Sequence, residues 1–453
     1  MVTLPAIRPC SSRLKARCSR EVKRVVDDCF VKLIFVVQTI QAFLFDRARQ
    51  ECYGSPMSLH APLFLGQTVP CDASLEQMLA ACRDLLCDTG FPTVNRWQEQ
   101  GGTVLGHFQV YVPEEIAHAA GMLPVKLGCT TGGSSQPGAH FGSYLCSVVK
   151  QVFSLADEGT LRPDLFVVPS ICDAARNLPA IWSRNYNTPC RTLYLPQNLT
   201  GTAAESYLQQ EYAGFAAVVS EVTGRALDTE SLRRSIAVYN RNRSLLRELY
   251  ALKSREPGKL AVDECYLLTA VGSLLLPEEH NRLLERVLPL LALRQSQQQD
   301  KIRVVLCGCF CEQPPLGMLE AIARSCHVVS DDLLIGLRWL TGDVALQCDP
   351  LAALAHAYCS SSSYSPVQHD AQRQGADLLV QQVKQHGAQA VVITAPKMCE
   401  PGLDELVPAV TALTAAGIPS CVCEFEQGMT SFELVELQVE TFSENILYAG
   451  GQP

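Results

Sequence analysis

The sequence predicts an α/β protein with two doubly wound parallel sheets of flavodoxin-like or Rossmann-like topology, joined by a helical region. Short apolar runs alternate with helical patterns in two separate stretches, which is the order typical of parallel sheets. The strand signals vanish between about residues 203 and 300, where only helical spacing remains. The 453 residues, 47% of them hydrophobic and 18% charged, are enough for more than one core.

The first α/β domain is expected within residues 57–202, after a lead-in that reads as helical up to about Thr103. Its expected elements are, in order, the strand TVLGHFQVYV, the helix PEEIAHAAG, the strand MLPVKLG, a helix around Cys146, the strand DLFVVPS, a helix begun by Cys172 and Asp173, and the strand CRTLYLP. The Gly-rich run GCTTGGSSQPGAHFG, before Cys146, is interpreted as a surface loop or as a lid that contacts substrate.

Residues 203–300 are predicted to form a helical connecting region, and residues 301–453 a second α/β domain. The expected elements of this second domain are the strand IRVVL, the loop CGCFCEQPP, the helix LGMLEAIARS, the strand CHVVS, the helix GADLLVQQVKQHG, the strand AVVITA, the loop PKMCEPG, the helix LDELVPAVTALTAAG and the strand IPSCVCEFE. The carboxyl edges of the two sheets are expected to face a shared cleft, the usual ligand position in such folds.

Residues 1–56 differ from the rest of the chain because a basic segment precedes the apolar stretch CFVKLIFVVQTIQAFLF. A targeting signal and a membrane anchor are both conceivable, but Lys32, Gln38 and Gln41 interrupt a stretch that is short for a bilayer span. An amphipathic helix is favoured, and no membrane span is predicted. Synthesis from Met57 is the other interpretation of this extension.

Charge and motifs exclude several classes of function. The net charge of −9 leaves no basic footprint for nucleic acid. Neither GxxxxGK[ST] nor a GxGxxG after a strand is present, so this chain is not expected to bind a nucleotide by these loops. The 21 cysteines are spread through apolar segments, which favours a reducing compartment, the cytoplasm, over a secreted disulfide framework.

Three cysteines occupy the positions at which an α/β enzyme keeps its chemistry. Cys172, Cys311 and Cys399 each follow an apolar run and precede a helical pattern, so each is predicted at the carboxyl edge of a sheet. The positive end of the following helix favours a thiolate there. With Cys146, these residues form a set of soft ligands suited to an iron–sulfur cluster.

Other candidate groups have simpler interpretations. Cys307, Cys309 and Cys311 are too closely spaced for the usual structural zinc pairs. Cys421 and Cys423 are interpreted as packing residues of a central strand, and His118 as a satisfied histidine rather than a proton donor.

Many short segments in one order resemble the catalytic subunits of ATP-dependent benzoyl-CoA reductase, which belong with the 2-hydroxyacyl-CoA dehydratases. The segments that carry the resemblance are GHFQVYVPEEIAHAAGMLPVKLG, the helix with Cys146, PSICDAARNL, YLPQN, SREPGKL, LPEEHN, GCFCEQPPLGMLEAI, DDLLIGLRW and APKMCEPGL. The similarity runs from about Met57 to the C-terminus.

The resemblance implies a heteromeric enzyme in which a catalytic subunit of the B or C type binds a [4Fe-4S] cluster and a CoA thioester. It implies cluster ligands at Cys146, Cys172 and Cys399, with Cys311 as a fourth candidate. It further implies a second catalytic subunit of the same family, separate subunits that hydrolyse ATP and deliver low-potential electrons, and a ferredoxin-like electron donor. The absent phosphate loop agrees with that division.

The implied reaction is reduction of the ring of benzoyl-CoA, or of a similar aryl-CoA, to a cyclic dienoyl-CoA. One alternative is a 2-hydroxyacyl-CoA dehydratase subunit, which eliminates water through radical chemistry. A second alternative is a noncatalytic scaffold subunit that has kept the fold without an active cluster. The proton donors stay unassigned at this point.

Overall fold

The structure, a computed structural model, describes residues 60–108, 110–128, 141–142, 144–296, 300–308, 310–369, 374–426 and 428–449. The chain forms two compact units, Met1–Ala61 and Pro62–Pro453, and nearly all the described residues belong to the second. The predictions for residues 1–56 and for residues 129–140 of the Gly-rich run lie outside the described residues.

The described part of the chain alternates strands and helices at both ends and is helical in its middle. Its strands are β1 (His60–Phe64), β2 (Gln67–Pro70), β3 (Thr103–Phe108), β4 (Met122–Leu127), β5 (Leu165–Pro169), β6 (Cys190–Leu193), β7 (Ile302–Cys307), β8 (Cys326–Asp331), β9 (Ala390–Pro396) and β10 (Ser420–Phe425). Its α-helices are α1 (Leu75–Cys87), α2 (Pro92–Glu99), α3 (Glu114–Ala119), α4 (Ser147–Asp157), α5 (Asp173–Asn185), α6 (Ala204–Thr223), α7 (Thr229–Arg255), α8 (Val262–Ala270), α9 (Pro277–Leu293), α10 (Leu316–Ser325), α11 (Leu333–Leu337), α12 (Pro350–Ser361), α13 (Gly375–Gln385), α14 (Glu400–Ala415) and α15 (Glu433–Ala449).

Two four-stranded parallel sheets confirm the predicted fold class. The first sheet has the order β4-β3-β5-β6 and the second has the order β10-β9-β7-β8. In each sheet the first strand in the chain lies between the second and the third. The direction of winding therefore reverses between β3 and β5, and again between β7 and β9. Ligands bind outside the carboxyl ends of strands at such positions.

Apolar sequences account for the buried strands, and capping residues mark the ends of the helices between the two sheets. β5 (LFVVP) and β9 (AVVITAP) are buried at every position, as expected for parallel strands covered by helices on both faces. Between the sheets, α6 ends at Gly224 with φ of 66°, and α7 begins with a capping box formed by Asp228 and Ser231. The predicted helical connection is therefore confirmed.

The prediction of a wholly helical segment from Met57 to Thr103 is wrong. The structure places β1 and β2 in a two-stranded sheet before α1 begins. Gly66, with φ of 80°, lies in the turn between these strands, and this left-handed conformation suits glycine. The short apolar runs on both sides of that turn are strands, which a helical interpretation had merged with α1.

β10 is an edge strand, which corrects the prediction of a central strand. It pairs with β9 alone and is the last strand in the order of the second sheet. Cys421 and Cys423 on β10 are nevertheless buried, because α14 and α15 pack against this strand. Every second residue of β10 is buried under these helices, whereas Glu424 is exposed, so the strand is less apolar than β9.

No helix in the described ranges is long and apolar enough to cross a membrane.

Glu114, Lys126 and Arg338 form a buried charge cluster where the first sheet meets the second. The Glu114 carboxylate lies 3.6 Å from the Arg338 guanidinium and 3.2 Å from the Nε2 atom of His107 on β3. The Tyr239 hydroxyl donates to the same carboxylate at 3.1 Å. Burial alone would raise the pKa of Glu114, but Arg338, His107 and Lys126 together hold it well below its usual range. Glu114 is therefore an anion inside the protein.

The two cations of this cluster, Lys126 and Arg338, also donate hydrogen bonds to backbone carbonyls. Lys126, on β4, donates to the carbonyl oxygens of Gly336 at 3.0 Å and Leu337 at 3.1 Å, at the carboxyl end of α11. Arg338 donates to the carbonyl of Gly272 at 2.6 Å. A lysine of the first sheet thus binds the helix that follows β8 of the second sheet.

We expect Glu114→Gln to lower the free energy of unfolding by about 3–5 kcal/mol, because it leaves two buried cations without their anion. The measurement is the shift of the urea unfolding midpoint relative to wild type. Glu285→Gln is the matched control, since Glu285 pairs with Arg241 at 2.8 Å on the surface and its loss should cost less than about 1 kcal/mol. Equal small losses in the two variants would contradict a structural role for the cluster.

Candidate functional site

Two of the four predicted thiols lie at the starts of helices on the carboxyl edge of the first sheet. Cys146 immediately precedes α4 and Cys172 immediately precedes α5, each with extended backbone. The sulfur of Cys172 accepts a hydrogen bond from the backbone N–H of Ala175 at 3.5 Å. This contact places the sulfur over the first turn of α5, where backbone N–H groups are unpaired.

The other two thiols lie on the carboxyl edge of the second sheet. Cys311 follows β7 by one short loop, and Cys399 immediately precedes α14. Gly308 makes that loop possible, because it has φ of 102° and a Cβ there would lie 2.3 Å from the carbonyl oxygen of Thr394. The close approach of the loop to β9 brings Cys311 beside the end of the neighbouring strand.

The structure brings all four of these thiols together. Cys311 lies within electrostatic range of Cys399, Cys172 and Cys146. A hydrogen bond crosses between the two sheets at the same place, because the Ser147 hydroxyl donates to the carboxylate of Glu312. The two carboxyl edges therefore meet at one site, which we call the thiol site and define as Cys146, Cys172, Cys311 and Cys399.

Burial favours the neutral thiol at Cys146, Cys311 and Cys399. It raises the pKa of Cys146 to about 11 and that of Cys399 to about 12, although the backbone N–H groups of Val149 and Gly402 act in the opposite direction. Burial raises the pKa of Cys311 further, and the neighbouring thiols add to this effect. The expectation that helix starts would favour thiolates here is therefore outweighed by desolvation.

The four thiols are soft donors, the type of ligand that thiolate-bound metal centres use. Within the described ranges, no three Cys, His, Asp or Glu side chains stand close enough to hold one metal ion. A cluster of four irons is larger than one ion, so its ligands stand farther apart. Four sulfur donors, of which Cys399 is buried and the other three are partly buried, have the softness that such clusters require.

Two strained backbone positions flank the thiol site. Among the described residues, the non-glycine residues with positive φ are Phe91, Tyr111 and Met398. Tyr111, with φ of 74°, follows β3 at the carboxyl edge of the first sheet, and Met398, with φ of 64°, directly precedes Cys399. Bulky residues rarely adopt this conformation, and such outliers concentrate at functional sites.

A cavity of about 440 Å³ adjoins the thiol site on the second sheet. Phe310 and Gly402 line it, and these residues neighbour Cys311 in sequence and Cys399 in space, respectively. Leucine and isoleucine side chains of α11, α13, α14 and β9 contribute to its wall, together with polar side chains that include Asp332, Glu405 and glutamines of α13. Its size and apolar lining are typical of sites for small organic ligands.

The polar end of this cavity contains a buried ion pair. Tyr250 and Asp331 line the cavity, and the Tyr250 hydroxyl donates to the Asp331 carboxylate at 2.9 Å. Lys253 pairs with the same carboxylate from behind and is wholly buried. Burial would lower the pKa of Lys253, but the Asp331 charge raises it more. Asp331 is therefore fixed in place and neutralised.

The other residues that the sequence analysis singled out do not belong to the thiol site. His118 contacts the Ser235 hydroxyl through Nδ1 at 2.9 Å and the Glu278 carboxylate through Nε2 at 3.2 Å, as a satisfied histidine does. The sulfurs of Cys421 and Cys423 lie 3.8 Å apart on β10. Cys309 lies outside the described residues, and Cys307 lines the cavity.

Sequence reasoning missed Glu312 and Tyr111. Glu312 directly follows Cys311, so an acidic residue beside a predicted ligand was a visible signal. Tyr111 gave no such signal, because the expected strand TVLGHFQVYV ran through it, whereas β3 ends at Phe108. Its positive φ and its ring contacts with Trp339 and Tyr358 exist only in the folded chain.

Comparison with known proteins identifies the family to which this chain is similar. Residues 109–446 match the family described as 2-hydroxyglutaryl-CoA dehydratase, D-component. The chain is 32% identical to a benzoyl-CoA reductase subunit of Thauera aromatica, over 82% of this chain and 99% of that protein. It is 27% identical to the beta subunit of lactoyl-CoA dehydratase of Anaerotignum propionicum, over 82% of this chain and 99% of that protein.

A third relative is the beta subunit of (R)-2-hydroxyglutaryl-CoA dehydratase of Acidaminococcus fermentans, which is 24% identical over 78% of this chain and 94% of its own length. The family match covers the second sheet, the helices between the sheets and the first sheet apart from β3, and its residue range includes every member of the thiol site. The chain therefore belongs to the benzoyl-CoA reductase and 2-hydroxyacyl-CoA dehydratase family.

Proposed function

We propose that this chain is the catalytic subunit of an ATP-dependent, iron–sulfur aryl-CoA reductase that converts benzoyl-CoA, or a similar thioester, into a cyclic dienoyl-CoA. The observation that carries the proposal is the convergence of Cys146, Cys172, Cys311 and Cys399 where the two carboxyl edges meet. The relative named as a benzoyl-CoA reductase subunit is 32% identical to the chain, against 27% and 24% for two dehydratase subunits.

Cys146, Cys172 and Cys399 are the proposed ligands of a [4Fe-4S] cluster, and Cys311 is the fourth candidate. These residues would hold the cluster, which would supply electron-transfer and Lewis-acid chemistry to a thioester bound beside it. The chain supplies the positions of the sulfurs, through the starts of α4, α5 and α14 and the loop after β7. It also supplies a buried, low-dielectric surrounding that excludes water.

The cavity beside the thiol site is the proposed position of the acyl group. Phe310 and the aliphatic side chains of α13 and α14 give it apolar surface that suits an aromatic ring, and Glu405 and the glutamines of α13 add polar groups to the same wall. Asp331, which lines the cavity, is paired with Lys253. The net charge of this pair is zero, so the pair does not strongly oppose the entry of an apolar group. The apolar walls favour binding and keep solvent away from the reacting atoms.

The proposal assigns ATP hydrolysis to partner subunits and places the complex in the cytoplasm. The sequence contains neither of the familiar phosphate-binding loops, so energy and low-potential electrons come from separate ATP-hydrolysing subunits supplied by a ferredoxin-like donor. The relatives are named as subunits, which supports a second catalytic subunit of the same family as a further partner.

A 2-hydroxyacyl-CoA dehydratase is the second candidate function. The family description and two of the relatives name dehydratases, and their similarity extends over most of the chain. Both reactions begin from a CoA thioester beside an iron–sulfur cluster, so the thiol site serves either one. They differ in whether electrons are consumed.

Changing Cys146, Cys172 or Cys399 to Ala should remove the iron and the acid-labile sulfide of the anaerobically purified complex, about four irons per cluster, together with its activity. Cys421→Ala is the control, because this buried thiol on β10 lies outside the thiol site. It should keep the full iron content and EPR signal. Unchanged activity of Cys172→Ala in the complex would instead mean that this chain is a scaffold.

The consumption of electrons separates the two candidate reactions. With benzoyl-CoA as substrate, a reductase must consume reductant in fixed proportion to the dienoyl-CoA formed, because the ring gains electrons and protons. Elimination of water adds no net electrons to the substrate, so a catalytic amount of reductant supports many turnovers of a 2-hydroxyacyl-CoA. The measurement compares the amount of electron donor oxidised with the amount of product formed by the reconstituted complex. Product formation without proportional consumption of reductant would exclude the reductase.

A further inference from the structure

Tyr250, Asp331 and Lys253 form a hydrogen-bonded triad at the wall of the cavity beside the thiol site. Tyr250 and Asp331 line the cavity, and Lys253 lies behind them, wholly buried. The Tyr250 hydroxyl donates to one carboxylate oxygen of Asp331 at 2.9 Å, and Lys253 pairs with the other. The same carboxylate accepts from the backbone N–H of Leu333 at 3.1 Å. Three donors therefore fix one carboxylate at the cavity wall.

The triad and the thiol site border the same cavity. Asp331 is the last residue of β8, so it lies at the carboxyl edge of the second sheet. The cavity extends from Phe310 and Gly402, which neighbour the thiol site, to Tyr250 and Asp331. An acyl group whose thioester faces the thiol site therefore directs its ring into the part of the cavity that the triad lines.

The charges of the triad keep its protons in place until a strong base forms nearby. The charge of Asp331 raises the pKa of Lys253 more than burial lowers it, so Lys253 is an ammonium cation. Burial and the same carboxylate hold the pKa of Tyr250 well above its usual value. Buried ionisable groups at a cavity wall are candidates for a chemical role, because an apolar wall of the same volume is often as stable.

Tyr250 also lines a second cavity, of about 420 Å³, together with Ser254, Ser330 and His386. The Ser254 hydroxyl lies 2.7 Å from the Nδ1 atom of His386. Polar side chains and this volume allow water to enter the second cavity. Tyr250 thus contacts both the proposed position of the acyl group and a space that water can occupy.

We propose that the Tyr250 hydroxyl donates a proton to the ring of the acyl group after that ring has gained an electron. The inference rests on the proposed function, which supplies the ring and the electron. The O–H bond of Tyr250 breaks, its electron pair stays on the phenolic oxygen, and a C–H bond forms on the ring. A ring that has gained an electron is strongly basic, so a weak acid is sufficient.

Asp331 and Lys253 act as positioning residues in this step. Asp331 holds the hydroxyl at the cavity wall before the substrate binds. The Lys253 ammonium lies 4.2 Å from the centroid of the Tyr250 ring, so it offsets the negative charge left on the phenolic oxygen. Water in the second cavity then returns a proton to that oxygen before the next turnover.

Tyr250→Phe removes the proton and keeps the aromatic ring. In the anaerobic reconstituted complex with benzoyl-CoA, ATP and reductant, it should lower kcat about 100-fold or more, the usual contribution of a positioned proton donor. The dissociation constant of benzoyl-CoA, measured without ATP, should change less than about twofold, because donation occurs only during reaction. The solvent isotope effect on kcat in D₂O should exceed that of wild type, since proton transfer becomes the slow step.

Tyr239→Phe is the matched control. The Tyr239 hydroxyl also donates to a buried carboxylate, that of Glu114 at 3.1 Å, and Arg338 compensates this charge. Tyr239 does not line the cavity beside the thiol site. Both variants should keep the full iron content and show similar small losses of Tm. Tyr239→Phe should leave kcat and the solvent isotope effect as in wild type.

The outcomes distinguish this inference from the proposed function. A kcat of Tyr250→Phe within about threefold of wild type would overturn the proton donor and leave the reductase standing. Equal losses of kcat in the two variants, or a loss in Tyr250→Phe with an unchanged solvent isotope effect, would do the same, because either result indicates a structural role. Failure of the wild-type complex to reduce benzoyl-CoA would overturn both proposals.

Discussion

The buried charge cluster of Glu114, Lys126 and Arg338 sets how the two sheets lie against each other. Charged groups are costly to remove from water, and a buried cluster is tolerated only when each member has a partner with good geometry. Lys126 of the first sheet meets this condition only where the carbonyls at the end of α11 are within reach. A shift of one sheet would leave a charge unpaired, so we interpret the cluster as a device that selects one arrangement.

That arrangement explains why four distant cysteines meet. Each sheet has the same strand order, so each has one position at its carboxyl edge where the winding reverses. Cys172 follows β5 and Cys311 follows β7, both strands that border such a position. Because the edges face each other, groups from two separate sheets converge without any being near in sequence. The same convergence removes the thiols from water, which accounts for the raised pKa values of Cys146 and Cys399.

The sequence was sufficient for elements whose pattern is local. Fully apolar runs such as β9 identified the buried strands, and Cys172 with Asp173 marked the start of α5. The sequence was insufficient for features that depend on which segments pack against each other. An apolar run does not reveal whether a strand has one partner or two, so β10 was assigned to the centre of its sheet. The strain at Tyr111 and its packing against Trp339 and Tyr358 depend on contacts between segments far apart in the chain.

The strain at Tyr111 and Met398 is informative because the two residues are stabilised in different ways. A left-handed conformation at a bulky residue costs on the order of 1–3 kcal/mol. Tyr111 offsets this cost by burying its ring against Trp339 and Tyr358. Met398 has a side chain that is 51% exposed, so its own packing offsets little. Its backbone is instead determined by its neighbours, since Cys399 must begin α14 directly after the turn that ends β9. The position of Cys399 is thus maintained against local preference by the sheet and the helix on either side of it.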